Sequence, residues 1–270
     1  AHAIASQCGH EAHPQAHASM TEADGSGRVP RLRVFAGPNG SGKSTLKRHL
    51  PDEWLGAYVN ADDMELTLRE TGVLPLAPFG ITATAHELTQ FLRTSTLLAK
   101  AGLQAQADHI RLEAGCICLG PVAVNSYVAS VLADFIRHKL LAAGASFTFE
   151  TVMSSPDKVA FLHKAQQAGF KTYLYYVATE DPAINIARVQ HRVATGGHPV
   201  PDDKVISRYG RSLELLSDAV SFTSRAYIFD NSGHEQVWIA EVTQGVELEL
   251  KANVMPYWVK TALWDKFSAD

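Results

Sequence analysis

The stretch that most narrows what this chain can fold into is VFAGPNGSGKSTL, Val34–Leu46. A short apolar run, Arg31 to Gly37, leads into it, and Thr45 to Leu50 reads as the start of a helix. Between them lies G-x-x-x-x-G-K-S, with Gly37 and Gly42 bracketing the turn. A glycine turn between a strand and a helix N-terminus gathers backbone N–H groups around one point, and the helix dipole adds positive potential there. Lys43 brings a point charge to β- and γ-phosphates, and Ser44 offers a hydroxyl to Mg²⁺. Pro38, Asn39, Gly40, Ser41 and Thr45 complete a nucleotide-binding loop.

The rest of the chain is organised around that unit. AYVN (57–60), SFTFETV (146–152), KTYLYYVAT (171–179) and AYIFDNS (226–232) read as strands. Helical spacing separates them: 156–169, opened by Pro156 and closed by Gly169; 181–195, with Pro182 in its first turn; and 202–225. Residues 236–250 alternate like a hairpin around Gln244–Gly245. Short strands alternating with helices predict an α/β fold, a three-layer α/β/α sandwich of the P-loop NTPase kind with a parallel central sheet and a C-terminal β-hairpin. Residues 64–144 read as a mostly helical insertion, with helical spacing over 81–107 and 124–144 and a Gly/Pro break at 113–124. Its length predicts a side lobe on a single domain spanning 20–270.

Composition removes whole classes of function. The net charge of −4 over 270 residues, without a basic run, predicts no nucleic-acid partner. No apolar stretch reaches about 18 residues, so no membrane association is expected. Cys8, Cys116 and Cys118 are too few and too closely spaced for a usual zinc site, and their odd number argues against a disulfide scaffold. Reduced thiols and a cytoplasmic location are expected. Residues 1–19 hold four of the twelve histidines, precede Met20 and lack the apolar core of a secretory signal. They read as a tag-like or disordered tail rather than a metal-binding one.

The loop alone fits transport ATPases, repair ATPases and kinases. A transporter needs a strand ending in Asp-Glu and an LSGGQ-type stretch; a GTPase needs switch segments and a base-specificity motif. The chain shows neither set, which leaves a phosphotransferase using ATP rather than GTP. Such an enzyme needs a base at the acceptor hydroxyl, a Mg²⁺ partner and cations on the transferring group. Asp62, after the second strand in VNADD, is placed to take the acceptor proton; the plainer role is a helix N-cap, which Asp63 suits better. Glu150, inside the apolar run FTFETV, is costly to bury without a partner, which favours substrate or Mg²⁺ binding over a structural ion pair. Arg188 and Arg192 lie four apart on one helix, Arg208 and Arg211 three apart on the next. With a Gly-Gly loop between them they read as a lid over 188–211 that closes on phosphates, against the alternative of a solvated face. His198 and Lys204 are weaker candidates.

Taken together, FAGPNGSGKST, VNADD, SFTFETVMSS, YYVATEDPAINIARVQHRVATGGHPVPDDKVISRYGRSLELL and AYIFDNS resemble the zeta toxin family of phosphate-loop kinases. The likeness runs from about Arg31 to Ser232, interrupted by the insertion. It implies ATP-dependent phosphorylation of a nucleotide sugar such as UDP-N-acetylglucosamine, with Mg²⁺ as cofactor and a small antitoxin protein as partner. It also implies that Lys43 and Ser44 are the phosphate-loop pair, Asp62 the catalytic base, Glu150 the acidic substrate-site residue and Arg192 the first lid arginine. Two positions depart from the family pattern. A Gly-Thr-Gly-Arg run is replaced by Thr151-Val152-Met153-Ser154, and His198 stands where a second lid arginine is found, leaving Arg208 or Arg211 to substitute. Thr151, His198 and, from the insertion, Asn125 and Tyr127 are the candidates for shaping a different acceptor pocket. Asn231, after the last core strand, is either an adenine contact or a turn residue. The rival reading is a nucleotide-binding, partner-binding module with little turnover.

Overall fold

Strand β1 (Arg31–Ala36) is buried at Leu32, Val34, Phe35 and Ala36, so apolar side chains from both of its faces are covered. A strand buried on both faces belongs in the middle of a parallel sheet. The computed structural model describes residues 29–197 and 199–267. The other strands are β2 (Ala57–Val59), β3 (Val73–Pro75), β4 (Arg111–Glu113), β5 (Cys116–Cys118), β6 (Phe147–Thr151), β7 (Lys171–Ala178), β8 (Arg225–Asp230), β9 (Val237–Thr243) and β10 (Glu247–Leu250). Seven of them form one sheet in the order β10-β9-β8-β7-β1-β6-β2. From β8 to β2 all neighbours are parallel; β9 and β10 add the expected antiparallel hairpin at one edge.

The helices are α1 (Lys43–Lys47), α2 (Asp52–Leu55), α3 (Ala61–Thr71), α4 (Ala85–Arg93), α5 (Thr96–Lys100), α6 (Gln104–Ala107), α7 (Ser126–Ala142), α8 (Pro156–Gln167), α9 (Pro182–Ala194), α10 (Asp202–Glu214) and α11 (Leu216–Ser221), followed by helical turns over 257–267. On one face of the sheet Val34, Phe147, Phe149, Leu174, Tyr176 and Ile228 pack in one core with side chains of α7, α8, α11 and the C-terminal turns. On the other, Phe35 and Val177 meet Leu46 of α1 and Leu55 of α2. That second layer is thin, and stacked rings extend it: Phe35 on Tyr175 at 5.0 Å and Tyr175 on Tyr227 at 5.1 Å.

Most of the insertion is helical, and besides its helices it has short strands not expected from the sequence. It carries a second, antiparallel sheet of order β3-β5-β4. The Gly/Pro break is the turn of its hairpin: Ala114 and Gly115 both have positive φ, at 48° and 76°, as a two-residue type I′ turn requires, and Ile117 beyond them is fully buried. The helical stretch 81–107 is likewise three helices. Ser95 caps α5 through its hydroxyl, and Gly102, at φ 67°, turns the chain before α6. The single helix expected over 202–225 divides at Leu215, between α10 and α11, and its last residue already belongs to β8.

Among the described residues no helix is long and apolar enough to cross a membrane. Cys116 and Cys118 are free and half-buried, and the described residues contain no group of three or more His, Cys, Asp or Glu placed to hold a metal. Cys8, the 1–19 tail and His198 lie outside the described residues.

Candidate active site

Parallel sheets open their sites at the carboxyl ends of the strands, and here β1 supplies the loop, β6 the carboxylate and β2 the second acid. In the β1–β6 register Phe35 lies opposite Glu150, so Glu150 sits one strand away from the mouth of the Gly37–Thr45 loop. Gly37, Gly40 and Gly42 have φ of 138°, 73° and 101°. A Cβ on Gly37 would fall 1.9 Å from the Val177 carbonyl oxygen, and one on Gly40 2.6 Å from that of Asn185, so the loop exists only with glycine there.

Lys43 is buried, and its Nζ donates to the carbonyls of Gly37 (2.9 Å) and Pro38 (3.0 Å). Burial pulls its ammonium below the usual lysine range; the carboxylates of Glu150 and Asp62 pull it back up, and the Arg192 guanidinium adds to the lowering. Lys43 therefore feels the charges of Glu150, Asp62 and Arg192. Ser44 Oγ lies 3.3 Å from Glu150 Oε2, and the Tyr58 hydroxyl donates to the same oxygen at 2.9 Å. Asn60 Nδ2 donates to the Tyr58 hydroxyl at 3.4 Å, and the Lys47 ammonium sits 3.8 Å from the centre of the Tyr58 ring. Burial first, then the Glu150 charge, raises the Tyr58 phenol above the usual tyrosine range, so its hydroxyl stays a donor.

Asp62 is exposed at the first turn of α3. The cap of that helix is neither Asp62 nor Asp63: Asn60 Oδ1 accepts the Asp62 N–H at 2.9 Å, because Asn60 still has extended backbone while residue 61 is already helical. The Asp62 carboxylate is thereby released from the capping role, and its charge acts on Lys43. Asp63, also exposed, has its carboxyl raised, chiefly by partial desolvation.

The lid candidates separate. The Arg192 charge acts on Lys43, whereas Arg188 donates to the carbonyls of Asn231 (2.8 Å) and Gly233 (3.3 Å) and ties α9 to the turn after β8. Arg208 is half-buried and Arg211 exposed on α10. Asn231 Nδ2 donates to the Ser41 carbonyl at 2.7 Å. Asn125 Oδ1 accepts the N–H groups of Tyr127 and Val128, both at 3.0 Å, and so caps α7; Tyr127 is exposed. Thr151 Oγ1 accepts the Met153 N–H at 3.0 Å, and Met153 itself has φ 53°. Sequence reasoning passed over Tyr58, Asn60, Asn185 and Gln236. The available signal was polar side chains on strand ends and in the loops beside the phosphate loop.

The residues fit a Mg²⁺–nucleotide. The cradle tolerates no Cβ, a lysine and a serine hydroxyl stand at its mouth, and hard carboxylate oxygens face them.

The zeta toxin family model matches residues 123–243. Over that stretch, somewhat under half of the chain, the sequence is similar to the zeta toxin family. The matched stretch holds Glu150, Thr151, the lid arginines and Asn231; the phosphate loop and Asp62 precede it. An uncharacterized protein of Haemophilus influenzae is 33% identical over 63 residues, 23% of this chain and 45% of that protein, so the match spans less than half of that curated relative. Among solved structures, a complex titled AvrRxo1-ORF1:-ORF2 with ATP is 16% identical with a TM-score of 0.49, over 90% of this chain and 64% of that one. A chain of the PezAT chromosomal toxin–antitoxin system of Streptococcus pneumoniae is 14% identical with a TM-score of 0.47, over 93% of this chain and 83% of that one.

Proposed function

We propose that the chain is a kinase that moves the γ-phosphoryl of ATP to a hydroxyl of a nucleotide sugar, UDP-N-acetylglucosamine being the first acceptor to test. The observation that carries the reading is the phosphate loop with no room for a Cβ at Gly37 and Gly40, Lys43 buried within it and Ser44 at its mouth 3.3 Å from Glu150 Oε2. Backbone N–H groups of the loop hold the α- and β-phosphates, and Lys43 and Arg192 neutralise charge on the transferring group. Ser44, with Glu150 behind it, would hold Mg²⁺, which would supply charge neutralisation to the phosphates. The acceptor oxygen attacks the γ-phosphorus, its proton passes to the Asp62 carboxylate, and the bond from that phosphorus to the bridging oxygen breaks to release ADP. Tyr58 fixes the Glu150 carboxylate that orients the acceptor. The same reading places the chain in the cytoplasm and gives it an antitoxin protein as partner.

The acceptor is the open element. Thr151 directs its hydroxyl to Met153 in its own loop, and the segment Thr151–Ser154 has no arginine. That favours, as second reading, a nucleotide-type acceptor other than UDP-N-acetylglucosamine. Incubation with γ-labelled ATP, Mg²⁺ and either UDP-N-acetylglucosamine or a bacterial metabolite extract separates them. Label on the nucleotide sugar supports the first; label on another small molecule supports the second. Label only in free phosphate, or none released, rejects both.

A further inference from the structure

Three side-chain amides close on the phosphate loop from outside it. Asn185 Nδ2, on α9, donates to the Asn39 carbonyl at 2.5 Å; Asn231 Nδ2, after β8, to the Ser41 carbonyl at 2.7 Å; Gln236 Nε2, before β9, to the Gly42 carbonyl at 2.9 Å. Lys43 covers the Gly37 and Pro38 carbonyls from within. A trans peptide points its C=O and the following N–H in opposite directions. Tying the carbonyls of residues 39 and 41 to outside donors, and that of residue 42 to Gln236 together with the N–H groups of Thr45 and Leu46 (both 3.1 Å), therefore turns the N–H groups of Gly40, Gly42 and Lys43 the other way, into the loop. Inward N–H groups are what an oxyanion needs.

The amides are themselves fixed. Asn185 is fully buried, and its Oδ1 accepts from the Thr179 hydroxyl. The backbone N–H of Asn231 donates to Ala178 at 2.8 Å, and its carbonyl accepts from Arg188 at 2.8 Å. A Cβ on Gly42 would fall 2.3 Å from Asn231 Nδ2 and 2.8 Å from Gln236 Nε2, so glycine at this position also makes room for the two amides.

We propose that Asn185, Asn231 and Gln236 are positioning residues that hold the loop's N–H groups on phosphate, with Asn231 acting on the loop rather than on the base. The inference uses only the phosphate-binding half of the kinase reading and needs neither an acceptor nor turnover.

The test is calorimetric binding of ATP, GTP and inorganic tripolyphosphate to the full chain and to Asn231→Ala and Gln236→Ala, whose side chains are only partly buried. Each loses one amide–carbonyl bond, so each is expected to bind ATP and tripolyphosphate more weakly by the same factor, about tenfold. The ratio of ATP to GTP affinity stays as in the parent chain. In ¹H–¹⁵N spectra the Gly40 and Gly42 amides are expected to move downfield on adding tripolyphosphate to the parent and to move less in the variants. Gln236→Ala reads the same effect if Asn231→Ala does not fold. Parent-like tripolyphosphate affinity in a folded variant overturns the proposal, as does a loss confined to ATP, which would mark a base contact. A parent chain that binds neither ATP nor tripolyphosphate overturns it too. A parent that binds both yet phosphorylates nothing refutes the kinase reading and not this one.

Discussion

Glu150 and its surroundings show what a residue can and cannot reveal in a sequence. A carboxylate inside FTFETV signals itself, because burial needs compensation. The compensation comes from Tyr58 and Ser44, residues 92 and 106 positions away, and nothing local in the sequence links them. Tyr58 in particular reads as an ordinary strand aromatic. The arrangement predicts that the Tyr58 phenol, followed by ¹³Cζ NMR of labelled tyrosine and assigned with Tyr58→Phe, titrates above the usual tyrosine range. Glu150→Gln should bring that titration down, since the Glu150 charge is the second cause of the shift after burial. An unchanged titration would separate the two side chains. Asn231 shows the opposite case. Its place after a core strand suits a base contact or a turn residue equally, and only the fold shows its amide donating to the Ser41 carbonyl.

The elements were legible where period and punctuation agreed. Strands β1, β2, β6, β7 and β8, the hairpin β9–β10, and helices α8 and α9 all came from alternation and from Pro or Gly at their ends. The insertion was harder. Three-residue strands are too short to show a period, and the Ala114–Gly115 turn looks like any loop until its two flanks are seen to pair. Asn125 was read as a pocket residue, and its carbonyl oxygen caps α7, the helix that carries much of the core. Asn125→Ala should therefore cost about 1 kcal/mol in urea unfolding, and Asn125→Asp, which keeps the acceptor, much less. A loss of phosphotransfer in Asn125→Ala with stability unchanged would return Asn125 to the pocket.

On the scale of the whole molecule the tyrosines govern behaviour in alkali. Tyr175 is pushed up to about 12, and Tyr58, Tyr176 and Tyr209 are also raised, in each case chiefly by burial. An unfolded chain ionises these phenols from about pH 10. Their contribution to stability is complete below that value and is lost as pH rises towards their folded values. Lys43 and Lys158, lowered by burial, act in the opposite sense and stop contributing change once pH passes their ordinary 10.5. Thermal unfolding should thus move to lower temperature from about pH 10.5 upward, and a transition temperature constant from pH 10.5 to 12 would contradict the burial of these rings. The overall α/β plan was readable because the phosphate loop demands a central strand and a helix behind it. The convergence of β1, β2 and β6 ends into one charged site depends on strand order, which follows from packing rather than from any single segment. The central claim is that this site transfers phosphate with Asp62 as base. Its most direct measurement compares Asp62→Asn with the parent chain for ATP affinity and for label transfer from γ-labelled ATP to the acceptor. The account predicts ATP affinity within about twofold and transfer lowered by at least about 100-fold. Transfer at the parent rate in Asp62→Asn would contradict it.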